Sequence, residues 1–189
     1  LSYWRTGLRL AQQWRVRLGL PEKREYDEVL RKLSPLPVEE GVYVSWENIE
    51  RMWTSYNWEH PALVGAYGML PGDGVDIPTM RRTLAKVHAE WKLGETWGWD
   101  FPMLAMCAAR LGDPERAVEY LLDYPAFDFD PHGLVGGGRA PFPYFPGNGG
   151  LLYAVAMMAA GWDGAPAGDA PGFPEKGWVV RSEGLRRAL

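Results

Sequence analysis

The stretch Gly94-Glu95-Thr96-Trp97-Gly98-Trp99-Asp100 places two indoles and two carboxyl groups at the mouth of an apolar run that closes on Arg110-Leu111-Gly112-Asp113-Pro114. Flat indole faces beside carboxylates suit saccharide chemistry. The rings offer a stacking surface, and the carboxyl groups accept hydroxyl protons or exchange one with a glycosidic oxygen. A second cluster, Trp58-Glu59-His60, lies upstream and a third, Pro146-Gly147-Asn148-Gly149-Gly150, downstream. We read the three as one site built from the ends of successive helices. Each residue also has a plainer reading: Asp100 as a helix cap, Glu95 as a solvated loop acid, Glu59 as a partner of a helix dipole, Asn148 as a left-handed turn residue.

Other chemistries find no support. The three histidines, His60, His88 and His132, are too widely spaced for a zinc signature, so no metal is expected. The turn Gly147-Asn148-Gly149-Gly150 lacks the Lys-Ser/Thr of a phosphate loop, and there is no Gly-x-Ser-x-Gly elbow. No cofactor is expected. The single cysteine, Cys107, lies among Met103, Met106 and Ala108 and reads as a buried apolar residue rather than a nucleophile.

At 189 residues and 47% hydrophobic, the chain can build one packed domain. Its net charge is -4, and its basic residues scatter rather than cluster, which argues against a nucleic-acid partner. No run reaches the ~18 apolar residues of a membrane span, so no membrane partner is expected. The chain begins at Leu1 rather than Met and carries no signal peptide, which suggests a piece of a longer polypeptide. On that reading localisation is unknown, cytoplasmic or secreted. Ten tryptophans is a high count. Trp4 and Trp14 fit the buried face of a first helix, whereas Trp53, Trp58, Trp97 and Trp99 flank polar, Gly-rich turns, where ligand-facing aromatics sit.

The elements that must carry these residues are helical. Apolar residues at Trp4, Leu8, Ala11, Trp14 and Leu18 predict a helix over 3–18, and Pro21-Glu22 starts another to about Leu33. Val42-Tyr43-Val44 reads as a short extended piece, 47–55 as a turn or two of helix, 61–69 as a short helix and 78–92 as a longer one. Residues 99–111 are apolar all round, the mark of a helix buried on every side. Asp113-Pro114-Glu115 restarts an amphipathic helix to about Tyr124. The stretch 125–147 is a long Gly/Pro loop, with a flexible Gly136-Gly137-Gly138 run, of the kind that walls a site. A buried helix follows over 149–160, and Trp178-Val179-Val180 reads as strand-like. The expected fold is all-α: helical hairpins at about 1–33, 47–92, 99–124 and 147–161, inner helix then outer helix, with few or no strands and an irregular tail over 162–189.

The order of these motifs resembles the C-terminal part of the catalytic domain of (α/α)6-toroid, or six-hairpin, glycoside hydrolases, and is similar to the inverting α-L-fucosidase family. The match runs over roughly 20–160. It rests on Glu59-His60-Pro61, on Tyr67-Gly68-Met69-Leu70-Pro71-Gly72, on Gly98-Trp99, on Ala109-Arg110-Leu111-Gly112-Asp113 with Arg116-Ala117 and Leu121-Leu122, and on Gly147-Asn148-Gly149-Gly150. The family's catalytic aspartate precedes its Gly-Asn turn, where this chain has Pro146, and the resemblance implies that its general acid and paired asparagines lie further upstream than this chain reaches.

The resemblance implies an incomplete (α/α)6 toroid and a carbohydrate-active protein, an inverting glycoside hydrolase or a fragment of one, acting on an oligosaccharide or glycoside. Asp100 is the first candidate catalytic carboxylate and Glu59 the second. Trp97, Trp99 and Tyr67 would wall the sugar; His60, Asn148 and Glu95 would bind its hydroxyls. A non-catalytic sugar-binding protein and a structural helical-hairpin module are the alternatives. Half a toroid leaves apolar flanks open, so the expected partner is the remainder of its own polypeptide or a second copy in a homo-oligomer.

Overall fold

The computed structural model describes residues 1–136 and 138–189; Gly137, the middle of the glycine run, lies outside the described residues. The fold is mainly α. Among the described residues seven helices follow one another: α1 (Ser2–Arg17), α2 (Arg24–Lys32), α3 (Met52–Ser55), α4 (Ile77–Glu90), α5 (Asp100–Arg110), α6 (Pro114–Leu122) and α7 (Phe145–Ala160). With 3-10 turns at Ala62–Ala66, Leu93–Glu95 and Pro125–Phe127 they bring the chain to 48% helix. The one sheet among the described residues is a two-stranded antiparallel hairpin, β1 (Val38–Glu39) and β2 (Val42–Tyr43), with Val38 opposite Tyr43. Its two-residue turn, Glu40-Gly41, has both φ angles positive, as the right-handed strand twist requires.

The core is organised around α5. All eleven of its residues are buried, Asp100 and Arg110 at its ends included. Gly112, with φ at +79°, ends the helix, and the Asp113 carboxylate accepts the Arg116 amide to cap α6, which doubles back against α5. The thiol of Cys107, in mid-helix, is fully enclosed, and burial raises its pKa well above the usual thiol range.

Two further segments run beside α5 in its own direction. On one side, a Cβ at Gly65 would lie 3.1 Å from Met103 Sδ and one at Gly68 2.9 Å from the Cys107 amide nitrogen, while the Tyr67 hydroxyl donates to Arg110 O at 3.2 Å. On the other side, a Cβ at Gly150 near the start of α7 would lie 3.1 Å from Pro102, and just beyond its end the Trp162 ring lies 5.7 Å from the Arg110 guanidinium. Residues 60–68, α5 and α7 therefore begin at one end of the molecule and finish at the other. At the finishing end Arg110 gathers the chain: its side chain donates to Gly68 O and to Leu189 O and faces the rings of Tyr67 and Trp162.

Several expectations are corrected. Within 61–69 the chain forms a 3-10 turn over Ala62–Ala66, with Pro61 ahead of it, rather than an α-helix, and α2 begins at Arg24, past Pro21. Trp178-Val179-Val180 forms no strand, and Val179 is exposed. Trp4 and Trp14 do not lie on a buried face. Ser2, Thr6 and Gln12 are the buried residues of α1, because Arg5 and Gln12 bond backbone carbonyls at residues 23, 33 and 34 and so turn the polar side inward. Nor is α7 buried all round: Phe145, Leu152, Tyr153 and Val155 face outward, while Ala154, Met157 and Met158 carry its contact with the core. The inner-then-outer pairing thus describes α5 and α6 but not α1 and α2.

The close approach at Gly68 yields a stability prediction. Gly68→Ala pushes a methyl into the α5 backbone and is expected to cost about 1–3 kcal/mol. Gly94→Ala meets nothing within 4 Å and is expected to leave the thermal midpoint unchanged in calorimetry.

Candidate functional site

His60 leads into the 3-10 turn at the starting end of the bundle, and the end of α4 holds it there. The Asn57 side-chain amide donates to Glu90 O at 2.7 Å, Asn57 O accepts the Lys92 amide, and the Trp91 indole donates to Glu59 O at 2.6 Å. This brings His60 to α5. Its Nδ1 lies 2.8 Å from Asp100 Oδ1 and 3.0 Å from the indole nitrogen of Trp99. Its ring packs 4.2 Å from the Trp97 ring and 5.2 Å from that of Trp99, centroid to centroid. The second carboxylate oxygen of Asp100 accepts the Trp97 amide at 3.0 Å.

Asp100 is 0% exposed whereas a third of the His60 side chain reaches solvent. Burial, reinforced by the nearby Glu59, pushes the Asp100 carboxyl up to about 6, against the opposing pull of His60. The proton arrangement follows from donor chemistry. Indole is a donor only. With Asp100 ionised, His60 Nδ1 carries the hydrogen and donates to the carboxylate, and the indole bond is given up; with Asp100 protonated, Nδ1 is bare and the carboxyl and indole share its one lone pair. In either state Nδ1 is committed inward. Nε2 makes no hydrogen bond among the described residues and is the nitrogen offered outward.

The long loop lies across this cluster. Gly138 pairs with Trp97 in an antiparallel bridge, and the Arg139 amide donates to Thr96 O. A Cβ on Gly98 would lie 2.4 Å from Gly136 O, so only glycine lets the loop pass here. The Arg139 guanidinium stacks 4.0 Å over the Trp58 ring and pairs with Glu95 at 3.2 Å; Lys92 approaches the other Glu95 oxygen at 4.0 Å. Burial and the proximity of Asp100 raise the pKa of the Tyr144 hydroxyl. Beyond Trp99 opens a cavity of about 870 Å³, within the range of small-molecule sites, walled by Tyr43, Val44, Trp46, Leu63 and Met103 with Ser45 and Glu47 among its polar groups.

The structure thus gathers Glu59, His60, Glu95, Trp97, Trp99 and Asp100 at one end of α5. Asn148 lies toward the same end, in the first turns of α7. It is helical rather than left-handed there, and its side-chain amide donates to Gly133 O at 2.7 Å, tying the long loop down. Tyr67 lies apart, with its hydroxyl on the carbonyl of Arg110 at the finishing end. Asp100 begins α5 but bonds backward to Trp97, and its enclosed oxygens leave it orienting His60 rather than meeting a ligand. Sequence reasoning passed over Arg139, Tyr144 and the cavity residues Tyr43, Trp46 and Glu47. Arg139, a cation just after the glycine run of a loop already read as a site wall, was the available signal.

The raised Asp100 pKa has a readable sign. Folded Asp100 holds its proton more tightly than the unfolded chain does. Its contribution to stability is therefore fully present below about pH 4 and is lost as pH rises through about 6. The change is roughly 2–3 kcal/mol. Asp100→Asn removes the titration. The midpoint difference, wild type minus variant, should fall by several degrees between pH 4 and pH 7 in thermal melts.

No family model, no curated protein and no solved structure matches this chain in the comparisons made with each.

Proposed function

We propose that this chain is carbohydrate-active, part of an inverting glycoside hydrolase built on an (α/α)6 arrangement. The observation that carries the reading is the cluster of His60, Trp97, Trp99 and the enclosed Asp100 at the end where three parallel segments begin. Parallel inner segments opening at a common rim are what a helical toroid needs to present residues distant in sequence to one ligand.

The roles divide by exposure. The half-buried indoles of Trp97 and Trp99 supply apolar faces for a pyranose ring. His60 Nε2 takes a sugar hydroxyl, held in orientation by Asp100 through Nδ1. Glu59, half-buried and close enough to raise the Asp100 pKa, takes a proton from water in this reading. An inverting reaction requires a second carboxyl ~6.5–9.5 Å away to protonate the leaving oxygen. In the family that the motifs resemble, this general acid lies upstream of the matched stretch. The complete burial of Asp100 and the proline at position 146 favour a second reading: a sugar-binding protein without turnover.

Titration with neutral oligosaccharides and aryl glycosides separates these readings. Binding should shift tryptophan fluorescence, and Trp97→Ala should weaken it at least 10-fold. Glu59→Gln should lower hydrolysis about 100-fold with binding retained. Binding without hydrolysis by the full-length polypeptide, upstream carboxyl included, selects the second reading. A fluorescence signal indifferent to every saccharide tested removes both.

A further inference from the structure

Helix α1 is amphipathic with its sides reversed. Its apolar stripe, Trp4, Leu8, Ala11, Trp14 and Leu18, recurs at helical spacing, yet Trp4 is 63%, Trp14 54% and Leu18 65% exposed, with Tyr3 beside them at 72%. The side turned to the protein is polar: Ser2, Thr6 and Gln12 are its buried residues, and the hydroxyls of Ser2 and Thr6 are enclosed without a hydrogen-bond partner. A monomer in this arrangement leaves two indoles in water and two hydroxyls desolvated. The exposed indoles make sense if another surface covers the stripe.

We infer that the stripe is a dimer interface, filled by α1 of a second copy running antiparallel about a two-fold axis near residue 9. Three observations point to a second copy. The stripe is self-complementary: such an axis sets Trp4 of one copy beside Trp14 of the other and Gly7 beside Ala11. The small pair lies at the crossing, and a Cβ on Gly7 meets nothing within 4 Å. The area is right: the stripe with Leu1 and Leu20 offers on the order of 700 Å² of apolar surface, against roughly 800 Å² per partner in stable interfaces. The charges fix the direction. Arg15 and Arg17 lie in the last turn of a helix with no acidic residue in its first. Antiparallel pairing holds the two Arg15 side chains about 18 Å apart and places each near Tyr3 of the other copy, whereas parallel pairing stacks arginine on arginine. Arg5 and Arg9 stay clear, bonded to the carbonyls of Leu33 and Ser34 and to Asp73 on the opposite side. This interface does not depend on the saccharide reading.

Sedimentation velocity of the 189-residue chain tests it. At 10–100 µM the wild type should sediment as two chains of 21.3 kDa each. The variant carrying Trp4→Glu and Trp14→Glu should sediment as one, with its circular dichroism unchanged because both residues are exposed in the protomer. In a second variant carrying Gly7→Cys and Ala11→Cys, mild oxidation should give a covalent dimer on a non-reducing gel. A wild type that is monomeric at 100 µM, or a dimer that survives the glutamate pair, overturns the proposal. The first outcome leaves the stripe to a different polypeptide segment, and the second moves the contact to another face, such as the outward side of α7.

Discussion

A helix with no exposed residue must be walled on every side, and enclosing α5 is the constraint from which the rest of this structure follows. Six hydrophobic residue types pack nine of its eleven positions, the two charged residues stand at its ends, and no hydrophilic stripe leaves a side free for water. The chain meets the demand with α6 folded back against it, α7 alongside, and residues 60–68 drawn so close that a side chain at Gly68 would meet the α5 backbone and one at Gly65 would crowd Met103. Because α7 and the 60–68 segment run in the direction of α5, the enclosure also decides where polar chemistry can appear: at the ends, where helix termini leave backbone groups to be satisfied.

The two ends are used differently. At the finishing end Arg110 is a buried cation that bonds the Gly68 and Leu189 oxygens and faces aromatic rings, with Asp163 near enough to favour its charge, an arrangement suited to holding chain segments together. At the starting end Asp100 is a buried carboxyl satisfied by an imidazole and a backbone amide, and its partner His60 reaches solvent. One end closes on itself; the other passes its polarity outward through a ring nitrogen. The proposed saccharide site rests on that asymmetry.

Much of this was legible in the sequence where one physical cause acts alone. The all-apolar run 99–111 could only be an enclosed helix, and the Asp-Pro-Glu restart at 113–115 specified α6 to within a residue or two. The juxtaposition of His60, Trp97, Trp99 and Asp100 was legible as motif order, although nothing in the order revealed that Asp100 would be sealed behind its neighbours. Periodicity failed for α1 and for the outer side of α7. A stripe tells which residues share a face, but which face meets the body of the protein is decided by tertiary bonds such as those of Arg5 and Gln12 to distant carbonyls. The same limit hid Arg139, whose stacking on Trp58 joins residues far apart in the chain.

The lone thiol of the chain, Cys107, has a practical consequence. It lies at the centre of α5, fully enclosed, with ionisation suppressed by its surroundings. A thiol-modifying reagent can reach it only when the walls around the helix separate. Its rate of modification is thus a natural clock for the opening of the core, and ligands that tighten the closed state should slow that clock without touching the sulfur.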